Sequence, residues 1–200
     1  MSPRKTSNIL SPELLLNAYS IGIFPMADGK DGELFWYSPD PRAIIPLNES
    51  FKVSRSLRLT IKKNIFETRF DTAFEQVIRS CAQRDETWIS EEIIAAYCQL
   101  FHLGFAHSVE SWNENKLVGG LYGVAVGAAF FGESMFSTMK DASKTALVAL
   151  VEQLRSQQFE LLDTQYITPH LLQFGTIEIP KNEYLRRLNS AVKKKRKFLY

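Results

Sequence analysis

Cysteine is scarce: the 200-residue chain carries two, Cys81 and Cys98. Both fall at apolar positions of helix-like segments, which predicts buried free thiols and excludes a disulfide framework. His102, His107 and His170 are scattered, and no Cys/His spacing matches a metal site, so no metal is expected. Each histidine reads as a packed or surface residue. Nothing approaches the roughly 18 apolar residues of a membrane span. Met1 to Asn8 lack an apolar core segment, so no signal peptide is expected and the chain reads as cytoplasmic. Charge of one sign is also missing. The net charge is only +2, so the total gives no strong polyanion signal.

What is present is an ordinary globular composition. Hydrophobic residues make up 45%, enough for a proper core, and the length suits one domain or one domain plus a small lobe. Ser11-Pro12-Glu13 is a helix start, with a capping hydroxyl, proline in the first turn and an acid behind it. Leu34 to Tyr37 is a short aromatic strand, broken by Ser38-Pro39-Asp40-Pro41, and Ala43 to Leu47 is a second strand. These predict a small N-terminal α/β lobe over residues 1–50, followed by a larger domain over 51–200 that ends in a basic tail, Lys193 to Lys197. Ser54 to Lys63 reads as a basic helix and Phe66 to Phe70 as a strand. Thr72 to Cys81 and Glu91 to Leu103 carry apolar residues at helical spacing, and Gly104 ends the second of these helices. Three strands follow, Ala106 to Trp112, Leu117 to Val126 and Ala128 to Phe136, with turns at Asn113-Glu114-Asn115 and Gly127. A helix over Ser143 to Gln157 leads to a strand over Phe159 to Thr164, which must return beside the meander. The fold class is therefore α+β, a mixed and mainly antiparallel sheet flanked by helices. A meander crossed by a helix into a parallel neighbour is the order of the GNAT acyltransferase fold, which this chain resembles.

Polar residues sit where those strands end. The apolar run Val124 to Phe131 leads into Gly132-Glu133-Ser134-Met135-Phe136-Ser137. A carboxylate at the end of a core strand is costly unless paired or met by a ligand. Asp163 and Gln165 are two apart on the strand expected beside it, which predicts that they share a face. Together the three residues could form a polar floor that orients an amine and accepts its proton. The alternative is an N-cap plus core hydrogen bonding, with Asp163 tied to backbone; for Asp163 alone the two stand level, whereas the three together in one sheet region favour function. Ser137 to Lys144 holds no glycine where GNAT enzymes carry a pyrophosphate loop, which argues against coenzyme A. Lys140, Ser143 and Lys144 could still hold a single phosphate, or could be a capped helix start with solvated lysines. Arg55, Arg58 and Lys62 share one helix face, and no acid lies between Phe51 and Phe66. That face is either solvated or a phosphate-binding stripe.

Several ordered motifs then carry a resemblance. Trp36-Tyr37-Ser38-Pro39-Asp40-Pro41-Arg42, Thr87-Trp88-Ile89, Leu117-Val118-Gly119-Gly120-Leu121-Tyr122-Gly123, Gly132 to Ser137, Ala142 to Leu147 and Asp163-Thr164-Gln165 resemble the bacterial leucyl/phenylalanyl-tRNA–protein transferase family. The match runs from about Ser11 to Leu188. It implies an aminoacyltransferase that moves Leu or Phe, less well Met, from aminoacyl-tRNA to an N-terminal Lys or Arg of a protein. That transfer creates a degradation signal of the N-end rule. The resemblance implies no cofactor, a tRNA partner and a protein acceptor; we expect a monomer. Asp163 and Gln165 would be the catalytic pair, and Glu133 would anchor the amine or the terminal adenosine. Trp36, Trp88, Phe130, Met135, Leu147 and Leu150 would line the donor side-chain pocket. The basic residues Arg55, Arg58, Lys62, Lys140 and Lys144, with Ser143, would hold the tRNA. The sequence departs from the family at Phe35-Trp36-Tyr37, where Trp-Trp is common.

Overall fold

The structure is a computed structural model and describes residues 10–30, 32–84 and 86–199; most of the leading segment, Met1 to Asn8 included, lies outside the described residues. Helix α1 (Pro12–Ser20) starts as its sequence dictates, with Ser11 Oγ accepting from the Leu14 amide at 3.2 Å. Strands β1 (Phe24–Ala27) and β2 (Leu34–Tyr37) form a separate antiparallel hairpin. Then follow β3 (Arg42–Ile45), α2 (Arg55–Lys62), β4 (Glu67–Phe70), α3 (Phe74–Ala82), α4 (Glu91–His102), β5 (Ala106–Asn113), β6 (Lys116–Val126) and β7 (Ala129–Ser137). The chain closes with α5 (Ala142–Ser156), β8 (Leu161–Gln165), α6 (Pro169–Leu172), β9 (Ile177–Ile179) and α7 (Lys181–Ala191).

Seven strands form one sheet in the order β4-β5-β6-β7-β8-β3-β9. The expected meander is β5-β6-β7, and α5 carries the chain across to β8, which runs parallel to β7 while the other neighbours are antiparallel. The mixed α+β architecture is thus as expected. One strand is not where it was expected. Ala43 to Leu47, read as part of a separate N-terminal lobe, supplies β3, which pairs with β8 on one side and β9 on the other. The reason is burial: all four residues of β3 are buried, which a strand at the edge of a small lobe cannot achieve.

Successive strand residues feed opposite faces. Ile44, Tyr122, Phe131 and Leu161 join the core under α1, α3, α4 and α7, while Ile45, Leu121, Phe130 and Leu162 join the core under α2 and α5. The basic run Lys193–Lys197 is not a free tail. Phe198 beyond it is buried, with its ring 4.4 Å from that of His107 and 5.4 Å from that of Phe130. An aromatic anchor after the charges closes the run into a loop. Of the thiols, Cys81 is buried as expected, but Cys98 is only half-buried, because it sits at the edge of the apolar stripe of α4.

Candidate active site

Two bulges shape the end of the sheet. On β7, Gly132 lies opposite Gly123 and Ser134 opposite Tyr122, so Glu133 is an extra residue with no partner across the ladder. On β8, Asp163 lies opposite Ile44 and Gln165 opposite Ala43, so Thr164 is the extra residue. Gln165 itself has φ of 59°, in the left-handed region. Bulges bend strands and re-aim side chains. The parallel ladder between β7 and β8 stops at Phe131 and Asp163. Beyond that rung the two strands part, and a cavity of about 830 Å³ opens between them.

Glu133 is the polar centre of that cavity. Tyr19 donates to its Oε1 at 2.8 Å, the Gln165 carboxamide donates to the same oxygen at 3.2 Å, and Tyr97 donates to Oε2 at 3.4 Å. Tyr19 and Tyr97 also share a hydrogen bond. Enclosure by protein pushes Glu133 up to about 8; the Asp163 carboxylate adds to the rise, and the Tyr19 bond and Arg42 oppose it. Burial and then the Glu133 charge hold Tyr19 and Tyr97 well above the usual phenol range, so both stay neutral donors.

Asp163 is fully buried and faces protein rather than the cavity. Its carboxylate takes a forked contact from the buried Arg42, at 2.9 Å to Oδ1 and 2.7 Å to Oδ2, and a 2.6 Å bond from the Tyr184 hydroxyl. Burial works against the Arg42 charge, yet Asp163 raises its pKa on balance. Arg42 also donates to the Gly22 carbonyl and lies over the rings of Phe24 and Tyr184. Asp163 reaches Gln165 through the main chain, by a 2.9 Å bond from the Gln165 amide to Oδ1. The expected face-to-face pairing of the two side chains is therefore replaced by a backbone link, because the bulge at Thr164 and the left-handed Gln165 break the two-residue period. The Gln165 side chain is free to reach Glu133.

The apolar wall holds four of the six expected residues: Trp88, Met135, Leu147 and Leu150. Phe130 is not on it. It shares the α5-side core with Leu147 and Leu150 but is fully buried there, packed against Phe198. Trp36 is not on it either: it sits exposed on β2 opposite Pro25, and the hairpin instead presents Phe24 and Met26 to the cavity. Hydrophobic type alone could not choose between the faces of the hairpin. Ser143 borders the cavity, but its amide, the second of α5, already donates to Ser137 Oγ at 3.2 Å. Lys144 pairs with Asp141 at 3.2 Å, and Lys140 is exposed. Arg55, Arg58 and Lys62 are exposed on α2, and among the described residues no ion pair involves them. The described residues hold no group of three or more candidate metal ligands.

Sequence reading missed Tyr19, Tyr97, Arg42 and Tyr184. Each is a polar side chain on an element remote in sequence from the residue it serves. Arg42 alone left a trace, as a charged residue closing a motif between two apolar stretches.

A mixed sheet that parts beside a crossover helix, with a buried carboxyl at one end of an apolar cavity, defines an α+β protein built to seat a largely apolar group beside a reacting polar one. Comparison with known proteins identifies which. The leucyl/phenylalanyl-tRNA protein transferase family model matches residues 44–189, and the model of that family's N-terminal domain matches residues 8–40; the chain belongs to the leucyl/phenylalanyl-tRNA–protein transferase family. A leucyl/phenylalanyl-tRNA–protein transferase of Herpetosiphon aurantiacus is 58% identical over 183 residues, covering 92% of this chain and 95% of that protein. Those of Gloeobacter violaceus and Akkermansia muciniphila are each 55% identical, covering 92% of this chain and 94% and 96% of theirs. Among solved structures, the C-terminal domain of a putative lysylphosphatidylglycerol synthetase from Agrobacterium fabrum aligns with a TM-score of 0.42 at 9% identity, over 89% of this chain and 62% of that one, a likeness too loose to define the fold.

Proposed function

We propose that this protein transfers Leu or Phe, and Met less well, from aminoacyl-tRNA to the α-amino group of an N-terminal Lys or Arg of an acceptor protein, marking it for degradation. Family membership supports the reaction, and one observation ties it to this chain: the apolar wall of Trp88, Met135, Leu147 and Leu150 and the Glu133–Gln165 floor border the same cavity. The donor side chain occupies the wall. Its ester then lies near the floor, where the acceptor amine attacks the carbonyl carbon. The C–N bond forms, the ester C–O bond breaks, and the proton lost by the amine ends on the departing oxygen, so tRNA leaves with a free 3′ hydroxyl. The ester is already activated, so positioning supplies much of the rate. Glu133, Gln165 and Asp163 have separate tasks. Glu133 holds the amine, Gln165 orients it, and Asp163 fixes the Gln165 backbone in its left-handed turn.

The same reading assigns Arg55, Arg58, Lys62, Lys140 and Lys144 to the tRNA backbone. It places the protein in the cytoplasm as a monomer, with a GNAT-like catalytic domain after a small N-terminal domain. A coenzyme A-dependent acetyltransferase is the rival. Against it stand the glycine-free segment Ser137 to Lys144 and the engagement of the first two α5 amides, Ala142 with the Met139 carbonyl and Ser143 with the Ser137 hydroxyl. The test is transfer of labelled Phe from charged tRNA to a peptide beginning with Arg, beside a coenzyme A binding titration. Label in the peptide and no binding of coenzyme A are expected; an unlabelled peptide and a saturating coenzyme A isotherm would overturn the reading.

A further inference from the structure

Tyr122 is fully buried, yet its hydroxyl has no hydrogen-bond partner. Native proteins pair buried hydroxyls almost without exception, and leaving one unmade costs about 1–3 kcal/mol. The ring is fixed. It meets Phe74 edge-on at 5.9 Å and Tyr97 edge-on at 5.7 Å, so the hydroxyl cannot swing to find a partner elsewhere. The residue borders the cavity and stands on β6 opposite Ser134, beside the bulge that carries Glu133. The hydroxyls of Tyr19 and Tyr97 are taken up by each other and by Glu133, and the Gln165 carboxamide also donates to Glu133. Tyr122 is thus a surplus donor at the floor of the site.

We propose that the Tyr122 hydroxyl donates to the carbonyl oxygen of the donor's aminoacyl ester and stabilises the negative charge that gathers there as the amine attacks. This rests on the aminoacyl-transfer reading above. The polarity of the floor divides the substrate's groups. An ammonium is a donor and matches Glu133; the ester carbonyl is an acceptor, and Tyr122 is the donor left without one. Burial, and then the Glu133 charge, hold the Tyr122 phenol well above its usual range, which keeps it protonated throughout the working pH range. A fixed donor aimed at a developing charge acts mainly on the transition state, and losing one costs on the order of 10²-fold in kcat.

Tyr122→Phe removes the hydroxyl and keeps the ring. Steady-state transfer from Phe-charged tRNA to an Arg-initiated peptide gives kcat and KM, and thermal unfolding of the free protein gives Tm. A hydroxyl kept for substrate predicts a kcat fall of about 10²-fold, little change in KM for tRNA, and a Tm equal to or above that of the unsubstituted protein. Unchanged kcat would overturn the proposal, because the hydroxyl then meets water or nothing. A kcat loss accompanied by a lowered Tm would also overturn it, because the hydroxyl then serves the fold. If the unsubstituted protein labels no peptide, the aminoacyl-transfer reading fails first, and the assignment of Tyr122 to the ester fails with it.

Discussion

Glu133 and Asp163 are both carboxyl groups at the end of the sheet, and their surroundings set them to different tasks. Asp163 is met by a guanidinium, a phenol and an amide, and belongs to the fold as much as to the site. Removing one partner of such a buried pair leaves the other uncompensated and costs about 3–5 kcal/mol. Arg42→Ala is therefore expected to lower unfolding free energy by about that amount in urea titration, with activity lost alongside stability. Tyr184→Phe, which removes one bond to the carboxylate and keeps the ion pair, should cost less, about 1.5–3 kcal/mol.

Glu133 is enclosed without a cation in contact. Its folded-state value of about 8 lies above the ordinary 4.5. Between those two values the folded protein keeps a proton that the unfolded chain has lost, so this group's contribution to stability falls as pH rises through that window. Glu133→Gln should remove the fall, flattening Tm against pH between 5 and 8. The same variant reports on catalysis. Holding the amine needs Glu133 ionised, and attack needs the amine deprotonated, with an α-amino pKa of about 7.7–8.0. Log kcat/KM should then climb with a slope near two below pH 7 in the unsubstituted protein and near one in Glu133→Gln. Equal slopes would remove Glu133 from the proton inventory.

At the scale of elements, what the sequence made legible was periodic. The meander, the crossover helix α5 and the parallel return of β8 follow from apolar spacing and turn residues. The two bulges were illegible, because a bulge appears only when two strands are set in register. Asp163 and Gln165 show the consequence: their spacing of two is real in the sequence, but Thr164 is extra in the ladder, so their link runs through the backbone. The pocket wall divides in the same way. Trp88, Met135, Leu147 and Leu150 were readable by type, whereas Phe130 has the right chemistry but is buried in the core behind the cavity, and Trp36 has it on an exposed face of the hairpin. The β6–β7 bulge also imposes a close approach. A Cβ on Gly123 would lie 2.3 Å from the Phe131 carbonyl oxygen and 2.4 Å from the Phe130 ring. Gly123→Ala must shift β7. A loss of about 1–3 kcal/mol is expected from thermal or urea unfolding, with kcat/KM for Phe transfer falling because Glu133 is displaced.

At the scale of the whole molecule, the charge is nearly balanced, and a tRNA-binding protein of this composition must concentrate its cations. Helix α2 offers Arg55, Arg58 and Lys62, exposed and without ion pairs among the described residues. If they meet phosphates, Arg55→Ala and Arg58→Ala should each weaken binding of charged tRNA and reduce the slope of log affinity against log salt by about one unit, leaving the preference among amino acids untouched. The basic run needs a gentler test. Cutting the chain after Val192 would also remove Phe198 from its packing beside Phe130 and cost about 3–5 kcal/mol. Replacing Lys193, Lys195 and Lys197 by Gln separates charge from packing. A salt slope that changes only in this triple variant would move the RNA contact from α2 to the loop.

The central claim is that the cavity between the parted strands receives the donor side chain. Competition between Phe-, Leu- and Val-charged tRNAs for one Arg-initiated peptide measures this directly, in the unsubstituted protein and in Trp88→Ala. Phe and Leu should outcompete Val, and Trp88→Ala should lower Phe transfer on the order of 10²-fold, the equivalent of about 3 kcal/mol for truncating a half-buried aromatic that the bound side chain would cover, while Val falls less. Transfer that proceeds with the same discrimination in both proteins would contradict it.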